Sequence, residues 1–106
     1  MILEINSVEI HPGRERAFEE AFARCAPLLL RVEGCLSATL LRCIERPGRY
    51  SVQVEWNRLF DHVDRYPATS EAAEIRALLQ PLIARAEPMH FEMADARNFT
   101  PRSTSA

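Results

Sequence analysis

The sequence lacks a zinc motif, a long apolar run and a basic cluster. None of its three cysteines has a C-x-x-C neighbour, so neither a zinc site nor a redox motif of that type is indicated. No apolar stretch approaches the roughly 20 residues that a membrane-spanning helix needs. The formal net charge is −2 and no basic run is present, which argues against nucleic acid as a partner. We expect a protein that binds neither membrane nor nucleic acid.

The N-terminus also lacks the features of a secreted protein. MILEINSVEI has neither the basic segment nor the small-residue cleavage site of a signal peptide. Cys35 and Cys43 are expected on one strand, eight positions and therefore roughly 26 Å apart at about 3.3 Å per residue. A disulfide needs Cα atoms within about 7 Å of each other. We therefore predict a cytoplasmic protein whose cysteines serve as small core residues rather than reactive thiols.

The length of 106 residues indicates one domain with a single core. Neither an internal repeat nor a linker divides the chain. The last segment, ARNFTPRSTSA, has little to bury. We predict a folded domain over residues 1–95 and a flexible tail over residues 96–106.

Two β-patterned runs joined by a tight turn form the centre of the sequence. The first covers residues 35–44, the second covers residues 50–56, and the turn R-P-G-R lies between them. In the second run every other residue is large and apolar, a period of two that predicts one buried face. These residues are Tyr50, Val52, Val54 and Trp56. Residues expected on the opposite, uncovered face of the hairpin are Cys35, Thr39, Leu41 and Gln53.

A strand and a helix are predicted before this hairpin. Residues 2–10 indicate a central strand, because both of its faces carry apolar side chains. The helix that follows has apolar residues at steps of three and four, and Pro27 should kink it or make it restart. The members of this apolar stripe are Phe18, Phe22, Cys25, Leu29 and Val32.

A short helix is predicted directly after the hairpin, over residues 57–66. Phe60 and Val63 are expected on its inward side. Proline follows Tyr66 and disfavours the α region for it, so the short helix should stop there.

A longer helix and a last strand complete the pattern. The helix is predicted over residues 71–87, with Thr69 or Ser70 as its N-cap and a tightened turn at Pro81. The strand is predicted over residues 89–94. The order β-α-β-β-α-β is that of an α+β, ferredoxin-like fold.

Four stretches together resemble the antibiotic biosynthesis monooxygenase (ABM) domains. They are VEIHPGRERAFEEAF, the hairpin VEGCLSATLLRCIERPGRYSVQVEW, the W-x5-H spacing of Trp56 and His62, and PMHFEM. The resemblance implies a ferredoxin-like protomer that pairs sheet to sheet into a homodimer, a dimeric α+β barrel. It also implies a cofactor-independent monooxygenase that acts on a phenolic, quinol or polycyclic aromatic small molecule.

Oxygenation without a metal or flavin requires an electron-rich substrate anion, because triplet oxygen reacts slowly with closed-shell molecules. The protein must supply a base, an apolar pocket that excludes water, and donors for the developing oxyanion. His62 and His90 are base candidates because an unperturbed histidine titrates near 6.5. We predict catalytic roles for His62, Trp56 and Asn6, without a cofactor or metal. Predicted substrate contacts are Tyr50, Tyr66, Arg76 and His90.

Each of these residues also has a structural interpretation. Trp56 fits core packing as well as a pocket wall, His90 fits a strand position, and Arg76 fits a helix surface. The haem-degrading branch of the family carries its haem-ligating histidine on the second long helix, where this sequence has Ala77. Haem degradation is therefore not expected. The alternative function is a dimeric ligand-binding or stress-associated barrel module without turnover.

Overall fold

A computed structural model of the protein describes residues 1–95 and contains one four-stranded antiparallel sheet, with strand order β2-β3-β1-β4. The strands are β1 (Ile2–Ile10), β2 (Cys35–Arg42), β3 (Arg49–Trp56) and β4 (Ile83–Glu92). The α-helices are α1 (Glu15–Leu30) and α2 (Ser70–Leu79). A π-helical turn (Asp61–Arg65) and two 3₁₀ turns (Tyr66–Ala68 and Gln80–Leu82) flank α2. The predicted α+β, ferredoxin-like order is confirmed, and the predicted tail lies outside the described residues.

Strand β1 lies in the middle of the sheet, paired with β3 on one side and β4 on the other. On the face toward the helices, Glu4, Val8 and Ile10 are buried. The predicted central position of this strand is confirmed. It brings residues from both neighbouring strands next to one another, and the site described below is built around it.

Helix α1 buries the stripe that its sequence predicts. Phe18, Phe22, Cys25 and Leu29 are all buried, and the helix continues through Pro27 to Leu30 without a restart. The missing N–H of a proline removes one helical hydrogen bond, and Pro27 is exposed close to the helix end. No helix among the described residues is long and apolar enough to cross a membrane.

The hairpin follows its period of two along β3 but departs from it in β2. Tyr50, Val54 and Trp56 are buried under the helices, as predicted. A bulge between Cys35 and Ser37 puts Cys35 opposite Trp56, on the helix-facing side. The prediction that Cys35 lies on the uncovered face was therefore wrong, and burial raises the pKa of its thiol to about 11. All three cysteines are free.

The segment after β3 was predicted with the wrong side inward. Phe60 and Val63 are 49% and 45% exposed, whereas Asp61 is only 1% exposed. The reason is the π-helical turn, whose i to i+5 bonds change which residues share a face. Tyr66 keeps helical angles before proline (φ −55°, ψ −48°) and begins a 3₁₀ turn, so the helix does not stop there.

Helix α2 is shorter than predicted, and β4 is longer. The helix starts at the expected cap, where the Thr69 side chain accepts a hydrogen bond from the Ala72 N–H. It ends at Leu79, and a 3₁₀ turn containing Pro81 leads directly into β4 at Ile83. Residues 83–87 therefore pair with the free edge of β1 instead of extending the helix. Backbone groups at an open sheet edge gain partners in this way, which outweighs the local helical pattern.

Candidate functional site

A cavity of about 110 Å³ lies between the sheet and the helices, near the end of β3 that carries Trp56. Most of its wall is apolar and comes from β1, β3, α1 and α2. The lining residues whose side chains carry nitrogen or oxygen are Glu4, Asn6, Trp56, His62 and Tyr66. Four of these five were predicted as site residues, and they come together at one place.

Glu4 is the residue that sequence reasoning missed. It is a buried carboxylate, and its Oε1 accepts a hydrogen bond of 3.1 Å from the Trp56 indole N–H. The register explains this contact, because Trp56 is opposite Ile2 and therefore diagonal to Glu4 on the same face. Burial raises the pKa of Glu4, and the Trp56 hydrogen bond opposes that shift. A carboxylate on the same face of a central strand as Val8 and Ile10 was the available signal.

His62 projects from the π-helical turn onto Trp56. The two rings stack at 4.9 Å with an angle of 18° between their planes. The His62 Nε2 atom lies 3.4 Å from Glu4 Oε1. Burial, and secondarily the nearby His90, lower the pKa of His62 to about 4. The imidazole is therefore neutral at neutral pH, and the ordinary value near 6.5 does not apply to it.

His90 reaches this cluster from the edge strand. It is the register partner of Glu4, so its side chain lies on the same face of the sheet. The His62 Nδ1 and His90 Nε2 atoms are 2.7 Å apart, a short hydrogen bond. His90 is exposed and is not part of the cavity wall. The structure thus places it behind His62 rather than against a bound substrate.

Tyr66 closes the aromatic side of the cavity. Its ring centroid lies 5.6 Å from that of Trp56 and 5.8 Å from that of His62. Burial, with a further contribution from Glu4, raises the pKa of the Tyr66 phenol to about 12. It is a neutral donor at physiological pH.

Asn6 offers an unused polar atom to the cavity. Its side-chain oxygen is buried and has no hydrogen-bond partner among the described residues. Buried polar atoms are nearly always hydrogen-bonded, so an unpartnered one beside a cavity is a place where a ligand can bond.

Two predicted substrate contacts lie elsewhere. Tyr50 is outside the cavity wall, and its hydroxyl donates a 2.6 Å hydrogen bond to Glu19, which anchors it away from the cavity. Tyr50 is therefore not among the predicted site residues that come together at this cavity. Arg76 lines a groove of about 400 Å³ between α2 and β4. This outer groove shares Tyr66 and Ile75 with the cavity wall, so Arg76 stands at an entrance rather than inside.

The position of His62 depends on its neighbour Asp61. The Asp61 carboxylate accepts a 3.0 Å hydrogen bond from the Arg58 backbone N–H and lies 3.0 Å from Arg65 Nη1. Gly34, at φ +90°, packs directly against it, and a Cβ at this glycine would overlap the Asp61 side chain. These contacts fix the π-helical turn and aim the next side chain, His62, at Trp56.

No group of three or more histidine, cysteine or carboxylate side chains with metal-binding geometry occurs within residues 1–95. The cavity itself offers carboxylate, imidazole, amide and aromatic groups.

Comparison with known proteins identifies the family. The family model for antibiotic biosynthesis monooxygenases (ABM) matches residues 1–59. The chain belongs to the ABM family. It is 35% identical over 79 residues, 74% of this chain and 83% of the relative, to the uncharacterized protein YczJ of Bacillus subtilis (strain 168).

Solved structures agree with the ABM assignment. A protein from Bordetella bronchiseptica assigned as an antibiotic biosynthesis monooxygenase is 33% identical, with a TM-score of 0.84 over 88% of this chain and 96% of that one. SnoaB, a cofactor-independent oxygenase from Streptomyces nogalater, is 26% identical, with a TM-score of 0.77 over 95% of this chain and 97% of that one. The predicted family and protomer fold are confirmed.

The matched range divides the candidate site. Glu4, Asn6 and Trp56 lie inside residues 1–59, which the ABM model covers, whereas His62 and His90 lie beyond it. The match to the ABM model therefore covers the β1 and β3 residues of the site but not its two histidines.

Proposed function

We propose that this ABM protein is a cofactor-independent monooxygenase for a small aromatic molecule with a phenolic hydroxyl or an activated C–H group. The observation that carries the proposal is the unpartnered Asn6 amide oxygen in an apolar cavity, beside Trp56, Glu4 and His62. The similarity to SnoaB, a cofactor-independent oxygenase, supports the same reaction class.

The substrate binds with its hydroxyl toward Asn6 and its ring against Trp56. A hydroxyl donor satisfies the Asn6 oxygen, which otherwise remains buried without a partner. In the oxyanion that forms next, the amide N–H₂ of Asn6 and the Tyr66 hydroxyl are the available donors. The pKa of about 12 keeps Tyr66 protonated for this role.

His62 is the group that removes the substrate proton. It lines the cavity, and its pKa of about 4 keeps it neutral and able to accept a proton at neutral pH. The substrate anion then transfers one electron to oxygen, and the two radicals combine into a peroxide. For a methylene substrate, the peroxide anion takes up one proton from solvent, and loss of water from the resulting hydroperoxide leaves a carbonyl. One oxygen atom enters the product and one leaves as water, so the substrate supplies all four electrons and no external reductant is needed.

The size of the cavity limits the substrate. A cavity of about 110 Å³ is smaller than the roughly 150 Å³ that holds benzene in an apolar protein interior. The outer groove of about 400 Å³ shares part of its wall. We propose that only the hydroxyl-bearing edge of one ring enters the cavity, while the rest of the molecule lies in the groove near Arg76.

Oxygen uptake with hydroquinones, naphthoquinols and anthrones, followed by product analysis, tests this function. Asn6→Ala should lower kcat/KM by about 10²–10³-fold, the usual effect of removing an oxyanion donor. Asn57→Ala is the matched control, because Asn57 is exposed next to Trp56. Equal activity of the two variants would contradict the role of Asn6.

A non-catalytic ligand-binding or stress-associated module is the second candidate, because a cavity of about 110 Å³ leaves little room for a substrate and oxygen to react together. Ligand pockets usually measure about 300–1,000 Å³. Stoichiometric quenching of Trp56 fluorescence by these aromatics without any oxygen uptake would support binding over turnover.

We further propose that two copies pair through the sheet face opposite the helices. On this face Leu3 lies opposite Phe91, and Ile5 lies opposite Met89. Phe91 and Met89 are 48% and 50% exposed, which leaves an apolar patch on a four-stranded sheet without helical cover. A homodimer should bury more than about 1,000 Å² there. A monomer in sedimentation at micromolar concentration would contradict the pairing.

A further inference from the structure

The two histidines of the site form a path from the cavity to solvent. His62 lines the cavity with a side chain that is 17% exposed, whereas His90 is exposed on the edge strand β4. Their facing atoms, His62 Nδ1 and His90 Nε2, are 2.7 Å apart. His62 Nε2 is at the inner end, 3.4 Å from Glu4.

We propose that His62 and His90 are a proton relay, in which His90 never touches the substrate but carries its proton out of the cavity. The inference rests on the proposed oxygenase function for the source of the proton. It adds a role for His90 that differs from the substrate contact predicted for it.

The transfer is balanced at each nitrogen. At the start, His62 carries its proton on Nδ1 and donates it to His90 Nε2. The substrate proton bonds to His62 Nε2 as the Nδ1–H bond breaks, and that second proton bonds to His90 Nε2. His90 is then an imidazolium and releases its Nδ1 proton to water. His62 ends neutral, as the other tautomer, and resets when the protons redistribute after product release.

This path avoids placing a positive charge in the cavity. A lone His62 would have to become a buried imidazolium, which its low pKa of about 4 disfavours. The exposed His90 can hold that charge in contact with water. The other titratable groups beside the pair are Glu4 on β1 and Tyr66 on the 3₁₀ turn. In the product tautomer Nε2–H faces the Glu4 oxygen, which favours the forward transfer.

Steady-state kinetics of His90→Ala on any substrate that the wild type oxidises test the relay. We expect kcat to fall by about 10²-fold, the lower end for an acid–base group, with KM unchanged. Free imidazole should restore activity in a saturable manner, because His90 is accessible from solvent. His11→Ala is the matched control, since His11 is the third histidine and is exposed outside the cavity wall. It should leave kcat unchanged.

In the kinetics, two results would overturn the relay. They are an unchanged kcat in His90→Ala, with or without a change in KM, and a loss of kcat that imidazole does not restore. ¹⁵N NMR of the imidazoles gives a readout without turnover, and one proton shared between His62 Nδ1 and His90 Nε2 is expected. If the wild type oxidises nothing but this shared proton is present, the oxygenase proposal fails while the hydrogen bond stands. If the proton is absent in an active enzyme, only the relay fails.

Discussion

The two ends of strand β3 carry the same kind of contact with opposite electrostatic results. At one end the Tyr50 hydroxyl donates to Glu19 Oε2 at 2.6 Å, and at the other the Trp56 indole N–H donates to Glu4 Oε1 at 3.1 Å. Each aromatic is buried, and each belongs to one of two core clusters. The difference lies in what else the two carboxylates contact.

Glu19 is bound by a cation, the Arg42 guanidinium, whereas Glu4 has no comparable cationic partner among the described residues. Arg42 donates two hydrogen bonds to Glu19, at 3.0 and 2.6 Å, and these bonds lower the pKa of Glu19. Glu4 has the indole and a neutral imidazole beside it, and burial raises its pKa because the Trp56 bond and the nearby His90 oppose that effect only in part. An aromatic–glutamate pair is therefore a structural clamp when an arginine completes it. It becomes a candidate for proton chemistry when the carboxylate is buried without one.

The largest expected contrast is in stability, when the hydrogen-bonding atom of Trp56 or of Tyr50 is removed. Trp56→Phe should lower the free energy of unfolding by about 2–3 kcal/mol, because it shrinks a fully buried side chain and leaves Glu4 without its donor. Tyr50→Phe should cost about 1 kcal/mol, since Arg42 still satisfies Glu19. Urea unfolding of both variants gives the comparison. Equal losses would mean that Arg42 does not compensate as we describe.

The next contrast is a histidine pH dependence, which only the Trp56 end should show. The folded protein keeps His62 neutral down to about pH 4, whereas the unfolded chain takes up a proton near 6.5. Stability should therefore fall as pH drops through this window. Between pH 7 and 4.5 the loss should be about 2 kcal/mol at 1.36 kcal/mol per pKa unit.

The variant His62→Gln provides the test of that pH dependence, because its side chain does not titrate. Unfolding measured at both pH values should show a smaller loss for the variant than for the wild type. Carboxylates that do not contact His62 contribute equally to both proteins and cancel in the difference. An identical loss would place the titration outside His62.

The smallest expected contrast is between the two glutamates, because their pKa values are shifted in opposite directions. Because the pKa of Glu4 is raised, its stabilising contribution is complete below the ordinary value of 4.5 and is lost as pH rises through the folded pKa. For Glu19 the pKa is lowered, so its contribution is present above 4.5 and is lost as pH falls.

At pH 8, Glu4→Gln should therefore raise the melting temperature and Glu19→Gln should lower it. The Glu19 effect should stay below about 1 kcal/mol, because the ion pair is partly exposed. Differential scanning calorimetry at pH 8 measures both. A lower melting temperature in Glu4→Gln would show that its charge is compensated in the folded state.

Local patterns predicted the elements well where one period governs a whole segment. The alternation from Tyr50 to Trp56 placed the buried face of β3 correctly, and the stripe of α1 was correct through Pro27. Both patterns depend only on which side of the element a residue occupies. Predictions were wrong where a β-bulge or a π-helical turn interrupts the regular side-chain period of a strand or helix. The β2 bulge reverses Cys35, and the π-helical turn carries Asp61 inward in place of Phe60.

The end of α2 illustrates competition between elements. Ile83 continues the apolar stripe of the helix, and nothing in its neighbourhood except Pro81 marks a boundary. The chain turns there because β1 has an edge whose backbone groups need partners, and β4 supplies them along the whole strand. A local sequence pattern carries no information about a sheet edge that is formed by residues far away in the chain.

The sequence by itself determined the order of the elements and the family, and it identified Asn6, Trp56, His62 and Tyr66 as candidate site residues. The tertiary structure alone decided that Glu4 is their common neighbour. It also decided that His90 stands behind His62 and that Tyr50 is held elsewhere by Glu19. The reason is physical. Which side a residue occupies follows from its own strand or helix, whereas hydrogen bonds and pKa shifts depend on groups that only folding brings within a few ångströms.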